Sequence, residues 1–118
     1  MKPRSAHRAL TAAGAVLAGA GVALSAYAAH AVEAAGRASL QSAALFALVH
    51  GVALAALPRQ TPYRLGTAAL SMLLVGVLLF SGSLVAAHLF ATPTRLAPIG
   101  GSLLILGWLL YAADACRR

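Results

Sequence analysis

The stretch LLFSGSLVAAHLFATPTRLAPIGGSLLILGW, residues 78–108, decides the fold, because Arg95 is its only residue with a formal charge. The apolar runs on both sides of Arg95 continue beyond the stretch and approach the ~20 residues that a transmembrane helix needs. The prolines near Arg95 are typical of a short loop. The stretch therefore predicts parts of two membrane-length segments joined by a tight connection.

The same alternation of apolar runs and short breaks extends over the whole chain. Four uncharged runs, each eighteen residues or longer, lie within residues 9–32, 38–58, 65–94 and 96–113. They lack the apolar and polar alternation of membrane β-strands, and helices satisfy their backbone polar groups internally. The sequence predicts an all-α polytopic membrane protein: one domain over residues 1–118 and an antiparallel four-helix transmembrane bundle. Its approximate spans are 9–30, 39–57, 66–90 and 97–115.

Composition supports lipid as the main surroundings of the chain. The 118 residues are 61% hydrophobic and 9% charged, and the mean hydropathy is +0.86, outside the range of ordinary soluble domains. The net charge is +7, but the basic residues stand between the apolar runs rather than along one helix. This placement is typical of membrane anchors, so we expect a lipid bilayer and no nucleic acid as partner.

The basic residues also predict an orientation. With a cytoplasmic N-terminus only Arg37 and Arg95 lie outside, and positive charge favours the inside. The seven basic residues then placed inside are Lys2, Arg4, Arg8, Arg59, Arg64, Arg117 and Arg118. We therefore expect a multi-pass protein of a bacterial inner membrane with both termini cytoplasmic. The first thirty residues also have the pattern of a cleaved signal peptide, whose removal would leave three spans; the length of the uncharged run favours retention.

Small residues at helical spacing predict where the helices touch. In lipid, helices associate where Gly, Ala and Ser let two backbones approach closely. The first span repeats such residues at intervals of four, three, four and three, from Gly14 to Ala28. The predicted packing positions are Gly14, Gly21, Ser25, Gly76, Gly82, Ser83, Gly100, Gly101 and Gly107.

Four segments carry a resemblance to a known family. They are GVALSAYAAHAV, FALVHGVALAAL, LLVGVLLFSGSL and APIGGSLLILGWLLYA, and together they extend from about residue 21 to 113. They resemble the domain-of-unknown-function 423 family, whose animal relatives are called transmembrane protein 256. The resemblance implies four helices in a membrane and no assigned activity.

Polar residues within or beside the spans are the candidate functional residues: His30, Glu33, His50, Ser81, His88 and Asp114. Near the outer surface, Glu33 and Arg37 have the spacing of an ion pair if the first helix continues past residue 31. Alternatively, His30 and His88, with Glu33, could hold a metal ion, or the two histidines a haem.

Two of these residues occupy positions where an ionisable group needs a partner. His50 lies near the middle of its span, where we expect a hydrogen bond to a neighbouring helix, with a functional role as the alternative. Asp114 lies at the cytoplasmic end of the last span, where it opposes the helix dipole and needs a cation. The candidate cations are Arg118, Arg8 and Arg64.

No Ser-His-Asp set, CxxC pair or glycine-rich phosphate loop occurs, so we expect no enzyme, no catalytic residue and no cofactor. The favoured function is a non-enzymatic accessory, assembly or structural component of a membrane complex, acting with other membrane proteins or by self-association. The alternative is a small transporter or channel subunit that works as an oligomer. The further alternative is the metal- or haem-binding module that uses His30 and His88.

Overall fold

The chain forms four helices in a computed structural model, which describes the backbone of residues 3–117 and the side chains of residues 5–117. The helices are α1 Pro3–Ala31, α2 Ala34–Ala56, α3 Arg64–Phe90 and α4 Leu96–Arg117, and a 3-10 turn Pro58–Gln60 precedes α3. The basic residues Lys2 and Arg118, and the side chain of Arg4, lie outside the described part. All four helices are long and apolar enough to cross a membrane. The predicted all-α, four-helix architecture is confirmed.

The connection between α1 and α2 is only two residues long, Val32 and Glu33. Its carbonyls are satisfied locally, because Gly36 N donates to Glu33 O at 3.1 Å and Arg37 Nη2 donates to Val32 O at 2.9 Å. The condition under which Glu33 and Arg37 would share one helix face, that α1 continues past Ala31, is therefore not met. Arg37 bonds the turn instead of pairing with Glu33.

The connection between α3 and α4 begins at a strained residue. Ala91 caps α3 in the left-handed conformation, with φ 54°. Glycine usually holds such a position because a Cβ atom is unfavourable there. Pro93 follows and prevents the helix from continuing. The chain then enters α4 at Leu96, with Pro98 in the first turn, where a missing N–H removes no intrahelical bond.

Glycines bring α1 against α2 along most of their length. A Cβ on Gly14 would lie 2.5 Å from Ala55 N, one on Gly51 2.5 Å from Ala18 N, and one on Gly21 2.8 Å from Leu48 N. The contact positions fall along α2 as they rise along α1. Because the nearest atoms are backbone, any larger residue at these glycines would push the helices apart.

The α3–α4 pair is built in the same way. A Cβ on Gly100 would lie 2.5 Å from Phe80 N and 2.6 Å from Gly76 O, and one on Gly107 would meet Leu73 at 2.8 Å. The pairs α1–α2 and α3–α4 meet mainly through α2 and α3. Apolar side chains fill this junction: Leu10, Leu54, Leu70, Leu73, Val77 and Leu104.

Three of the predicted packing positions contact no other helix closely. Nothing lies within 4 Å of a Cβ placed on Gly82 or Gly101, and Ser25 is exposed. Within the single chain these three residues therefore form no close helix contact, and their packing role stays a prediction. The physical reason is that α3 and α4 are each covered on only part of their circumference. Their uncovered faces carry large apolar side chains, among them Val75, Leu78, Ile105 and Leu109.

Candidate functional site in the bundle interior

His50 is the buried histidine of α2, and it joins α2 to α4. Its side chain is 4% exposed, Nδ1 lies 2.8 Å from Phe46 O, and the Trp108 indole Nε1 donates to Nε2 at 3.0 Å. A carbonyl oxygen only accepts and an indole N–H only donates. The imidazole is therefore neutral with its proton on Nδ1, and both ring nitrogens are occupied.

Aromatic rings surround this histidine and shield its hydrogen bonds. Phe46 stacks on His50 with ring centroids 5.8 Å apart, and the Phe80 edge meets Phe46 at 4.7 Å. On the other side, Tyr111 meets Trp108 edge-on at 6.2 Å. Such contacts add to the apolar area that the rings bury. The group ties three helices together near the level of His50.

Asp114 occupies the end of the bundle formed by the starts of α1 and α3, the 3-10 turn and the end of α4, here called the Asp114 end. The carboxyl group is fully buried. A Cβ on Gly66, in the first turn of α3, would lie 2.5 Å from Asp114 Oδ2. The N-terminal turn of a helix favours negative charge, and the N-cap Tyr63 makes no side-chain cap bond. Asp114 therefore places its charge where α3 needs one.

Arg117 is a cation within the described residues that faces Asp114; its Nη2 lies 3.8 Å from Asp114 Oδ1. The guanidinium also lies over the Tyr63 ring, 5.9 Å from its centroid. The expected partners were Arg118, Arg8 and Arg64. Arg118 lies outside the described residues, and Arg117 reaches the carboxylate because three residues along a helix bring two side chains to one face.

Ser81 and Ser83 lie two residues apart on α3, and both are buried. The Ser81 hydroxyl donates to Ala43 O on α2 at 2.8 Å. This bond crosses between the two helix pairs, because Ala43 lies on α2 and Ser81 on α3. Ser81 is thus a hydrogen-bond link between helices rather than a free hydroxyl.

The opposite end of the bundle, the His88 end, carries the remaining candidate residues. His88 is exposed; its Nε2 lies 3.4 Å from the Tyr27 hydroxyl, and a Cβ on Gly36 would lie 3.4 Å from its Nδ1. His30 and Glu33 are also exposed. Within the described residues, no group of three or more His, Cys, Asp or Glu side chains is arranged to hold a metal ion. The structure thus does not assemble His30, Glu33 and His88 into one site.

Several residues of the interior are identified only by the structure. The hydroxyl of Thr61 donates to Leu57 O at 2.7 Å and lies 3.3 Å from the Tyr111 hydroxyl. Gly66 is required by the Asp114 carboxylate, and Trp108 is the partner of His50. One signal in the sequence could have placed Tyr111 in the interior, because Tyr111 and Asp114 share a helix face with Gly100 and Gly107. Nothing in it connects Trp108 with His50, 58 positions away.

These observations define a class: a small all-α protein with four membrane-length helices, in which the interior side chains of His50 and Ser81 form hydrogen bonds between helices. A family comparison then gives a more specific assignment. The family described as "Protein of unknown function (DUF423)" matches residues 24–101, about two thirds of the chain. The chain belongs to this family, and the resemblance found in the sequence is confirmed. No curated protein and no solved structure matches it.

Proposed function

We propose that the chain is an integral membrane protein with four antiparallel spans and both termini cytoplasmic, and that it acts without catalysis as a packing component of a membrane assembly. The orientation is supported by charge. The Asp114 end carries Arg8, Arg59, Arg64 and Arg117, whereas Arg37 and Arg95 lie at the other end. Cytoplasmic segments are enriched in Lys and Arg.

The observation that carries the assembly role is the contrast between the interior and the outer faces. Inside, His50 has both ring nitrogens bonded and Ser81 is bonded to a carbonyl, so these groups are used to hold helices together. Outside, Gly82 and Gly101 leave open backbone between large apolar side chains. Helix association in lipid uses such small positions. The open faces therefore suit contact with further helices.

The transporter alternative has less support. A membrane proton or cation pathway uses ionisable groups that can change charge within the spans. Both ring nitrogens of His50 are engaged in hydrogen bonds, and the buried carboxylate Asp114 lies at a helix end next to Arg117 rather than at mid-span. The arrangement therefore favours a packing role over ion transport.

The orientation can be tested with the protein's own cysteine. Cys116 is the one cysteine of the sequence and is exposed in the last turn of α4. A membrane-impermeant maleimide should not label it in intact cells and should label it once the membrane is opened. The matched control is Cys116→Ala combined with Thr94→Cys, which should be labelled in intact cells. Labelling of Cys116 in intact cells would overturn the orientation.

The assembly role can be tested by copurification in mild detergent. We expect the tagged chain to bring down a stoichiometric membrane protein, and expect Gly82→Leu or Gly101→Leu to reduce its recovery several-fold with the fold unchanged. Gly19→Leu on α1 is the matched control, because Gly19 is equally open but lies on another helix. Recovery of the chain alone, as a monomer, would contradict the assembly role. Recovery of further copies of the chain alone would favour the oligomeric alternative.

A further inference from the structure

A cleft at the Asp114 end is not used by any contact described so far. It has a volume of about 300 Å³ and lies between the beginning of α1 and the 3-10 turn that follows α2. Its lining residues are His7, Arg8, Thr11, Ala12, Ala15 and Arg59. The cleft thus combines two arginines from different elements with small apolar residues.

Among the groups that the structure describes, the two guanidinium groups have no counter-charge. The sequence has two acidic residues, of which Glu33 lies at the His88 end and Asp114 is buried against Gly66. Within the described residues, neither Arg8 nor Arg59 forms an ion pair with a carboxylate. Two like charges that line one cleft repel each other, and an anion bound between them removes that cost. The charge pattern therefore points to an anionic ligand.

The neighbouring polar groups are already engaged. The Thr11 hydroxyl donates to His7 O at 2.8 Å. The Thr67 hydroxyl donates to Tyr63 O at 3.3 Å, so it accepts from His7 Nε2, which is also 3.3 Å away. The contact between His7 and Thr67 joins the beginning of α1 to α3. Recognition of the ligand's charge is left to Arg8 and Arg59.

The apolar part of the cleft lies further along α1. Ala12 and Ala15 follow Arg8 by four and seven residues, which is about 6 and 10 Å along the helix axis. Charge comes first, at the end of the bundle, and small apolar side chains follow toward its middle. A phospholipid has the same order, with a phosphate at the membrane surface and acyl chains below it.

We propose that this cleft binds an anionic phospholipid, with its phosphate group between Arg8 and Arg59 and the start of an acyl chain along Ala12 and Ala15. The inference rests on the proposed membrane location and adds a ligand class to it. Basic pockets on the cytoplasmic side of membrane helices suit anionic headgroups, and an arginine fork matches phosphate oxygens.

The test uses the full chain purified in mild detergent and measures bound lipid by native mass spectrometry. We expect phosphatidylglycerol to remain bound where phosphatidylcholine is lost. Arg8→Gln and Arg59→Gln should each weaken phosphatidylglycerol binding about fivefold, the factor that corresponds to ~1 kcal/mol for a basic residue at an anionic membrane surface. The matched controls are Arg64→Gln, at the same end but outside the cleft, and Arg95→Gln, at the other end; both should bind as the unchanged chain does.

Three results would overturn the proposal. Equal retention of the two lipids would remove the preference for an anionic headgroup. An equal loss in Arg64→Gln would show a general effect of charge at this end. Displacement of the lipid by millimolar inorganic phosphate would indicate a soluble anion as the ligand. The membrane location is tested separately, because recovery of the folded chain from the aqueous fraction without detergent would refute that proposal whatever lipid is bound.

Discussion

Replacing Gly100 by alanine should destabilise the α3–α4 pair, whereas the same change at the next residue, Gly101, should not. The Cβ added at Gly100 would lie 2.5 Å from Phe80 N and 2.6 Å from Gly76 O, where ordinary contact begins at 3.4 Å. Both obstacles are backbone atoms of α3, so no side chain can rotate away. The two helices must separate by almost an ångström at their closest point.

The magnitude follows from what that separation removes. A gap of half to one ångström forfeits a quarter to a half of each van der Waals contact across it, and overpacking costs about 1–3 kcal/mol. At Gly101 nothing lies within 4 Å, so only helix propensity changes. Alanine is favoured over glycine within a helix by about 0.5–1 kcal/mol. We therefore expect opposite signs for two substitutions of identical chemistry in adjacent positions.

The assay is reversible unfolding in mixed micelles, followed by the loss of helical circular dichroism as the fraction of denaturing detergent rises. Gly100→Ala should lower the free energy of unfolding by about 1–3 kcal/mol, and Gly101→Ala should raise it by about 0.5–1 kcal/mol. Equal effects of the two substitutions would refute the assignment of Gly100 to the helix contact. A destabilising Gly101→Ala would show that this face is covered.

Three further predictions use the same assay. In a double-mutant cycle, Trp108→Phe and His50→Phe should show a coupling of about 1 kcal/mol, because one hydrogen bond joins the two side chains; a coupling of zero would refute that bond. Asp114→Asn should lower the free energy of unfolding by about 1–3 kcal/mol, because it removes the charge buried beside Arg117 and the start of α3. The control Glu33→Gln changes an exposed residue and should alter the free energy of unfolding by no more than about 0.5 kcal/mol. Similar losses in both variants would contradict the role of Asp114. Ala91→Gly should stabilise the chain by about 1 kcal/mol, because glycine adopts the left-handed conformation without the Cβ penalty; an unchanged stability would show that Ala91 is not strained.

The sequence was sufficient for the existence and type of the helices. The runs around Leu73 and Leu104 are too long and too uniformly apolar for any other element, and the breaks at Pro58 and Pro93 separate them. The ends of the helices were less accessible. α2 begins at Ala34, five residues before the predicted membrane span 39–57, because a helix can extend beyond the apolar run and carry Arg37 in its first turns.

The covered faces of the helices could be read only in part. Gly100 and Gly101 are chemically identical neighbours, and nothing local to the sequence states which of them points toward α3. Gly82 and Ser83 are likewise small neighbours, and the sequence does not show which of them is buried; in the structure it is Ser83. Helical spacing groups residues into faces, but the partner of each face depends on how whole helices are arranged.

The pairings of the polar residues were the least predictable. The sequence suggested a neighbouring helix as the partner of His50, and one of its two partners, Phe46 O, proves to be on its own helix. It also offered three cations for Asp114 and omitted Arg117. Several side chains lie at the same predicted depth in the membrane, so each is an equally plausible partner. The actual partner is decided by differences of a few ångströms in position, which the amino-acid pattern does not contain.

The two-residue link between α1 and α2 limits how the protein can move. Arg37 closes this short link, and α1 and α2 are in close backbone contact at Gly14 and Gly51. The two helices of this hairpin therefore cannot separate at their far ends without losing those contacts. The segment from Leu57 to Tyr63, which joins this hairpin to α3, is three times as long or more. We therefore expect thermal fluctuations to tilt the α1–α2 hairpin against the α3–α4 hairpin about that segment. Each hairpin should move as a rigid body.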